Sequence, residues 1–525
     1  MRQLCGKGLV FGACFAMVLV GWYCAGDSLC ASTRPEGSIV CAVVTLQEQT
    51  VDPHRVTGAL LTPIYRCLST GLLQRNLDGE LVPGAAESWK VGPDGKTWEF
   101  TLRKGVTFTN GQPLIADDVK WSMERAMDPA TRTTLASQWS RVYGSSEVKD
   151  DHHWILHLGN FWPVVLDRLD AGCHPLSRKE AERVGDARFQ LHPVGLGPFR
   201  LLENKVGEYI TFEAYPHFFM LQRVPRVAKV TMRIVPEAST RMAMLKTGEA
   251  DIIEGVAGAM IDEVKGTTGL GTISTSATAI LELNFCDMYP KEPHHPFKDI
   301  RVRKALTLAV DREAICRKLY FGEATPVTTL FFPTSFGIDA GLKLYAYDPE
   351  QAKRLLEEAG YGKGFETKVL TYRSSSTPLI PECCEAVAAF FSKVGVKATL
   401  EHFESGIYFQ KFRMKELRGL ASQSNPANAH YDAHSLCEGQ FHSKGLYSYW
   451  NDPKADEMCE KQAHIVDRQE RLKYLQELNR YVYEQVPRLP LISVNTVFGI
   501  GPRIGSWKLE KSNPFLVDLE YVALK

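Results

Sequence analysis

The sequence predicts an α/β protein with more than one domain, and three observations support this. At 525 residues the chain is longer than a single hydrophobic core normally organises. Its first half alternates short period-two strands with helices, the pattern of α/β layers. Past Phe285 the texture changes to long amphipathic helices, which marks a second domain. Composition excludes some classes. With 44% hydrophobic and 23% charged residues the chain reads as an ordinary globular protein. Its 61 basic residues balance 61 acidic ones, so it lacks the basic excess of a nucleic-acid binder.

The N-terminus stands apart. Arg2 and Lys7 precede an apolar run from Leu9 to Val20, and small residues follow at Ala25-Gly26 and Ala31-Ser32. That is the layout of a secretory signal peptide, assigned to residues 1–32; a run of about 12 apolar residues falls short of the roughly 20 needed to span a membrane. Cys14, Cys24 and Cys30 are candidate lipidation sites, but Cys14 comes too early, and bulky Tyr23 and Leu29 precede the others, so a cleaved export signal is the expectation. Nine of the 13 cysteines then remain, an odd number spread along the chain rather than a disulfide framework.

In chain order, Ile39, Cys41 and Val43 alternate in a strand, and the segment around Asp52-Pro53-His54 is a loop. A helix is expected over Leu60–Leu73. Trp89-Lys90-Val91 enters the Pro93-Asp94-Gly95 turn and leaves along Thr97–Leu102, which alternates with one buried face. After the Asn110-Gly111 turn, Val119, Met123 and Ala126 share a helical face, with Asp117 and Asp118 in the first turn where the helix dipole favours them. Trp154–Leu158, Glu208–Tyr215 and Val230–Val235 are strands; Phe161–Leu169 and Ser239–Thr247 are helices. In the second half, Val302, Ala305, Leu306, Ala309 and Val310 form one apolar face. Asp348-Pro349 followed by Gln351 signals a capped helix start, and Gly360 its end. Helices are expected through Cys383-Cys384 to about Lys393 and over Lys454–Glu484, then breakers at Pro487 and Pro490 and a strand-rich tail from Leu491.

Several of these segments together carry a resemblance. Residues 78–129, "VGLGPFRLLE", "MAMLKTGEADIIEG", "PFKDIRVRKALTLAVDREAI", "YWNDPKADEM" and "VPRLPL" resemble, in order, the extracytoplasmic solute-binding proteins of family 5, the dipeptide, oligopeptide and nickel group of ABC importers. The resemblance implies a two-lobe periplasmic binding protein fold (type II, cluster C). Lobe I would comprise 33–278, with an extra subdomain at about 80–205, and a return at 492–525; lobe II would be 279–491. Crossing segments would fall near Ala279–Phe285 and Leu489–Val494. It implies a periplasmic, monomeric protein that captures a peptide or similar small polar solute by lobe closure. The solute passes to ABC permease subunits with cytoplasmic ATPases. The alternatives are a nickel or metal-chelate binding protein, and a sensory binding protein feeding a receptor. No cofactor is implied. Nor is enzyme activity expected: the chain lacks Gly-x-Ser-x-Gly, His-Glu-x-x-His, a Walker loop and Gly-x-Gly-x-x-Gly.

Candidate ligand contacts follow from the same likeness. Peptide-binding members use an aspartate on a lobe II loop for the peptide's amino terminus. The corresponding stretch here, Ser424–Asp432, has Asn425 and Asn428 where acids are expected, so Asp432, Glu404 or Glu438 would have to supply the charge that a buried ammonium needs. His54 and Arg55 occupy a loop that resembles a cleft-facing one, with Arg55 able to clamp a carboxylate or phosphate. Trp139, Tyr408 and Tyr431 are candidate aromatic walls. His430, His434 and Cys437, near Asp432 and His442, form the densest set of metal-ligand types, with the two histidines at i and i+4. His152-His153 and His294-His295 read as surface pairs.

Overall fold

The strand Glu36–Val43 buries Ile39, Cys41 and Val43 on one face and Ala42 on the other, because layers pack on both sides of it. It runs parallel to Val227–Ile234 and to the two-residue strand Ile252–Ile253. The structure, a computed structural model of the 525-residue chain, describes residues 34–46, 50–55, 61–129, 133–289, 295–374, 377–427 and 431–525. The expected signal segment, His294, Asn428 and His430 lie outside the described residues.

One 11-stranded sheet contains this strand and runs through both halves of the molecule. Its order is Val396–Phe403, Phe365–Tyr372, Leu420–Pro426, Gly271–Phe285, Arg488–Ile500, Ile252–Ile253, Glu36–Val43, Val227–Ile234, Tyr209–Ala214 and Phe199–Lys205, with Ala324–Pro326 paired to the side on Arg488–Ile500. The architecture is mixed α/β and two-lobed. One set of cores gathers residues between Ile39 and Val264 together with Val497 to Val522; another gathers Ala279 to Val494. A third packs Phe100, Phe108, Trp139 and Trp154 between a four-stranded antiparallel sheet and the helix Ala116–Ala126. That sheet holds the expected hairpin, with Trp89 opposite Phe100.

The antiparallel pair Gly271–Phe285 and Arg488–Ile500 joins the two sets of cores along one ladder. Its register breaks between Thr275, opposite Thr496, and Ala279, opposite Val494. The change of register therefore sits just before Ala279. Ala277 there has φ +53°, a left-handed conformation that costs an alanine roughly 1 kcal/mol or more. Polar side chains hold it: Asn495 Oδ1 accepts from the Ala277 N–H (3.1 Å), and Thr278 Oγ1 donates to Val494 O (2.9 Å).

Some elements differ from the sequence expectation. Pro490 does not break the final strand. It lies within Arg488–Ile500, where the register slips between Leu281 and Glu282, and such an irregularity accommodates the missing N–H. The long helix over Lys454–Glu484 is two, Pro453–Gln462 and Arg468–Gln485, because Asp467 caps the second through the Glu470 N–H (2.7 Å). The helix expected over Leu60–Leu73 is only Thr62–Leu68. No described helix is long and apolar enough to cross a membrane.

Candidate functional site

In open α/β sheets, ligands bind beyond the carboxyl ends of the strands. Here Val44 and Glu254 directly follow Glu36–Val43 and Ile252–Ile253, and Arg241 comes from the helix Ala238–Thr247 after the neighbouring strand. They line a cavity of about 170 Å³ closed by Pro378 of lobe II, Asn495 of the register break and Phe515 of the C-terminal return. Val44 N–H donates to Glu254 Oε2 (3.0 Å). Burial pushes the Glu254 carboxyl up, against the Val44 N–H and the charge of Arg241, which pull it down. The Arg241 guanidinium is itself held by neutral acceptors, the carbonyls of Glu254 (2.8 Å), Val235 (2.8 Å) and Pro236 (2.7 Å).

A second contact crosses the cleft. Tyr431 of lobe II donates its hydroxyl to Glu510 Oε1 of lobe I (2.8 Å), and the Arg75 guanidinium lies 3.5 Å above its ring. Arg75 is oriented in turn by Gly79 O (2.6 Å) and by an ion pair with Asp167. Tyr431 thus joins the lobes. The residues that receive it, Arg75 and Glu510, carry no local sequence signal.

Most other candidates are committed within one lobe. His54 is fully buried: its Nδ1 accepts from Arg125 (3.1 Å) and its Nε2–H donates to His174 O (2.8 Å), while Arg125 also pairs with Asp52. Burial lowers this imidazole to about 4 against the pull of Asp52, so it is neutral at physiological pH. Arg55 pairs with Asp186 (2.8 Å). Trp139 is enclosed in the subdomain core, edge-on to Trp162 at 5.1 Å. Tyr408 is enclosed in the lobe II core and donates to Ser422 O (2.6 Å).

The lobe II loop is equally committed. Asn425 donates to Glu282 (3.1 Å) inside a buried polar network that continues through Arg488 and Gln440. Asp432 forms a two-pronged pair with Arg471 (2.6 and 2.8 Å), both side chains buried. Glu404 caps its helix through the Gly406 and Ile407 N–H groups. Glu438 sits 3.4 Å from His434.

The two described members of the metal set, His434 and Cys437, have separate partners. His434 Nδ1 meets Gln462 (2.8 Å), whereas Cys437 lies against Cys459 in the lobe II core, where burial pushes its thiol well above the usual range and disfavours the thiolate a metal needs. Among the described residues no group of three His, Cys, Asp or Glu side chains is placed to hold a metal ion.

Comparison with known proteins agrees with this architecture. Residues 80–445 match the model for bacterial extracellular solute-binding proteins, family 5. The chain is 28% identical to a dipeptide-binding protein of Escherichia coli over 448 residues, covering 80% of this chain and 82% of that one. It is 27% identical to heme-binding protein A of Haemophilus influenzae over 478 residues, covering 84% of each. Among solved structures, a periplasmic binding protein of Helicobacter pylori in complex with a peptide superposes with a TM-score of 0.73 at 23% identity, over 94% of this chain and 98% of that one; at that identity the likeness speaks for the fold. The chain belongs to the bacterial extracellular solute-binding proteins of family 5, the substrate-binding components of ABC transporters.

Proposed function

We propose that the protein captures a peptide or similar small polar solute between its lobes and hands it to an ABC permease, acting in the periplasm as a monomer after removal of its N-terminal segment. The observation that carries this is the cavity at the carboxyl ends of Glu36–Val43 and Ile252–Ile253, walled by both lobes and by Asn495 beside the register break. A solute there touches lobe I and Pro378 together only when the lobes are closed, so its binding shifts the open–closed equilibrium toward closure. The dipeptide-binding relative supports a peptide-type solute. The site performs no chemistry in this reading; it binds and releases.

Native mass spectrometry on protein purified from its own source without refolding tests the reading. Peptide masses should leave the protein on denaturation, and small-angle scattering should show compaction on adding them back. A single non-peptide organic species in their place would replace the solute class, and no compaction at saturation would refute closure.

A further inference from the structure

We propose that Cys437 and Cys459 form a disulfide in the exported protein, fastening the segment of lobe II that follows Tyr431 to a helix of the lobe II core. The inference rests on the periplasmic location proposed above and adds a covalent link that such a compartment permits. Polar contacts tie the turns His434–Leu436 and Cys437–Phe441 to the helix Pro453–Gln462. Gln462 Nε2–H donates to His434 Nδ1 (2.8 Å), about one turn before Cys437 and one turn after Cys459. On the other side Asp456 accepts from the Ser443 N–H (2.7 Å) and from the Ser443 hydroxyl (2.5 Å). The two segments therefore run antiparallel, and the two cysteines fall opposite each other between the ties. Both are buried in one apolar cluster, with their thiols facing each other. Both stand as thiols in the structure.

The adjacent pair Cys383 and Cys384 does not offer the same geometry, because neighbours on a helix point about 100° apart around its axis. Burial holds the folded Cys437 thiol well above its usual range, so the bond forms before the core closes, while both thiols are still exposed on the unfolded chain. One thiolate attacks the disulfide of a thiol oxidoreductase or of oxidised glutathione and makes a mixed disulfide. The second thiolate attacks that intermediate and releases the oxidant in its thiol form. Two S–H bonds are lost and one S–S bond is formed; the two electrons and two protons end on the sulfur atoms of the oxidant. The segment fastened in this way starts at Tyr431, whose hydroxyl reaches Glu510 of lobe I, and at Asp432, whose Oδ1 accepts from the His434 N–H (2.8 Å). The bridge thus keeps this face of lobe II in shape while the lobes open and close.

The test is a thiol count on protein purified from its own source, denatured in excess N-ethylmaleimide with and without prior reduction and weighed intact. The wild type should carry two fewer adducts without reduction than with it, and its digest should hold a cross-linked peptide containing Cys437 and Cys459. Cys437→Ala and Cys459→Ala should each carry the same number either way. The thermal midpoint of the wild type should fall by about 3–6 °C after refolding under dithiothreitol, the scale of opening a loop of about twenty residues in a long chain. Cys437→Ala should not respond to the reductant. Equal counts in the wild type overturn the native bridge, and a difference that survives in Cys437→Ala belongs to another pair and overturns it too. Refolding the wild type in a glutathione redox buffer separates the two causes of equal counts. A bridge formed there would keep the pairing and overturn the periplasmic location; none formed there would overturn the pairing and leave solute capture standing. If neither variant folds, the wild-type count and the cross-linked peptide decide alone.

Discussion

Asp432 shows what a single residue's sequence can and cannot say. Its type and its place in the lobe II loop are legible; its bidentate commitment to Arg471 is not, because that arginine lies 39 positions further along the chain. Neutralising one member of a buried pair leaves the other charge uncompensated, so Asp432→Asn should cost about 3–5 kcal/mol in urea unfolding, where a surface carboxylate would cost under about 1. His54 makes the same point through protons. In the unfolded chain the imidazoles of His54 and His174 take up a proton near pH 6.5; folded, burial holds them at about 4 and about 3. The unfolded state therefore binds more protons as pH falls below 6.5, and stability is lost from there toward pH 4. Asp170, raised by burial to about 6, acts in the opposite sense: its contribution is present at low pH and is lost as pH rises through about 6. Replacing His54 with Gln should flatten the histidine limb, seen as a smaller drop in urea midpoint between pH 6.5 and 4. An unchanged slope would mean that His54 titrates freely.

Elements were more legible than side-chain partners, since caps, turns and apolar faces are written locally. Asp348 accepts from the Gln351 N–H (2.8 Å) as its sequence context indicates, and Gly360 follows the helix with φ +86°. The same type of signal, Asp467 with Glu470 three residues on, marks the second start inside Lys454–Glu484, but a long helical period masks it. Pro490 misleads for a different reason. A proline argues against a central strand unless the register slips beside it, and register depends on the partner strand. The join at Ala277 and Asn495 is a further element that pairing alone reveals. Besides the Ala277 N–H, Asn495 engages Glu323 through its Nδ2 (3.0 Å). Asn495→Ala should speed hydrogen exchange at the Ala277 amide and lower global stability by about 1 kcal/mol. Unaltered exchange there would show that the strained turn is held by its neighbours without Asn495.

At the scale of the whole molecule, fold and family follow from many weak likenesses kept in order, while the solute does not, because the cavity is assembled from stretches as distant as Val44, Glu254, Pro378 and Phe515. Tyr431 makes a contact between the lobes that lies apart from that cavity. Tyr431→Phe keeps the ring on Arg75 and removes the bond to Glu510 across the cleft. Losing about 1 kcal/mol from the closed form should shift the ligand-free equilibrium roughly fivefold toward opening. The radius of gyration from scattering should rise, and an unchanged value would show that the lobes are held together elsewhere.

The path of the chain has a consequence for how the protein is made. The large core from Ala279 to Val494 draws on one stretch of chain, whereas the core around Ile39, Cys41 and Phe212 also needs Phe498, Trp507, Leu516, Leu519 and Val522. As residues emerge in order from the ribosome, the lobe that begins first must wait with its apolar surface open while the other is completed, and the final thirty or so residues close it. A chain ending just after Val494 would hold the finished second core beside an unfinished first one, and such a product exposes the apolar surface that chaperones and proteases act on.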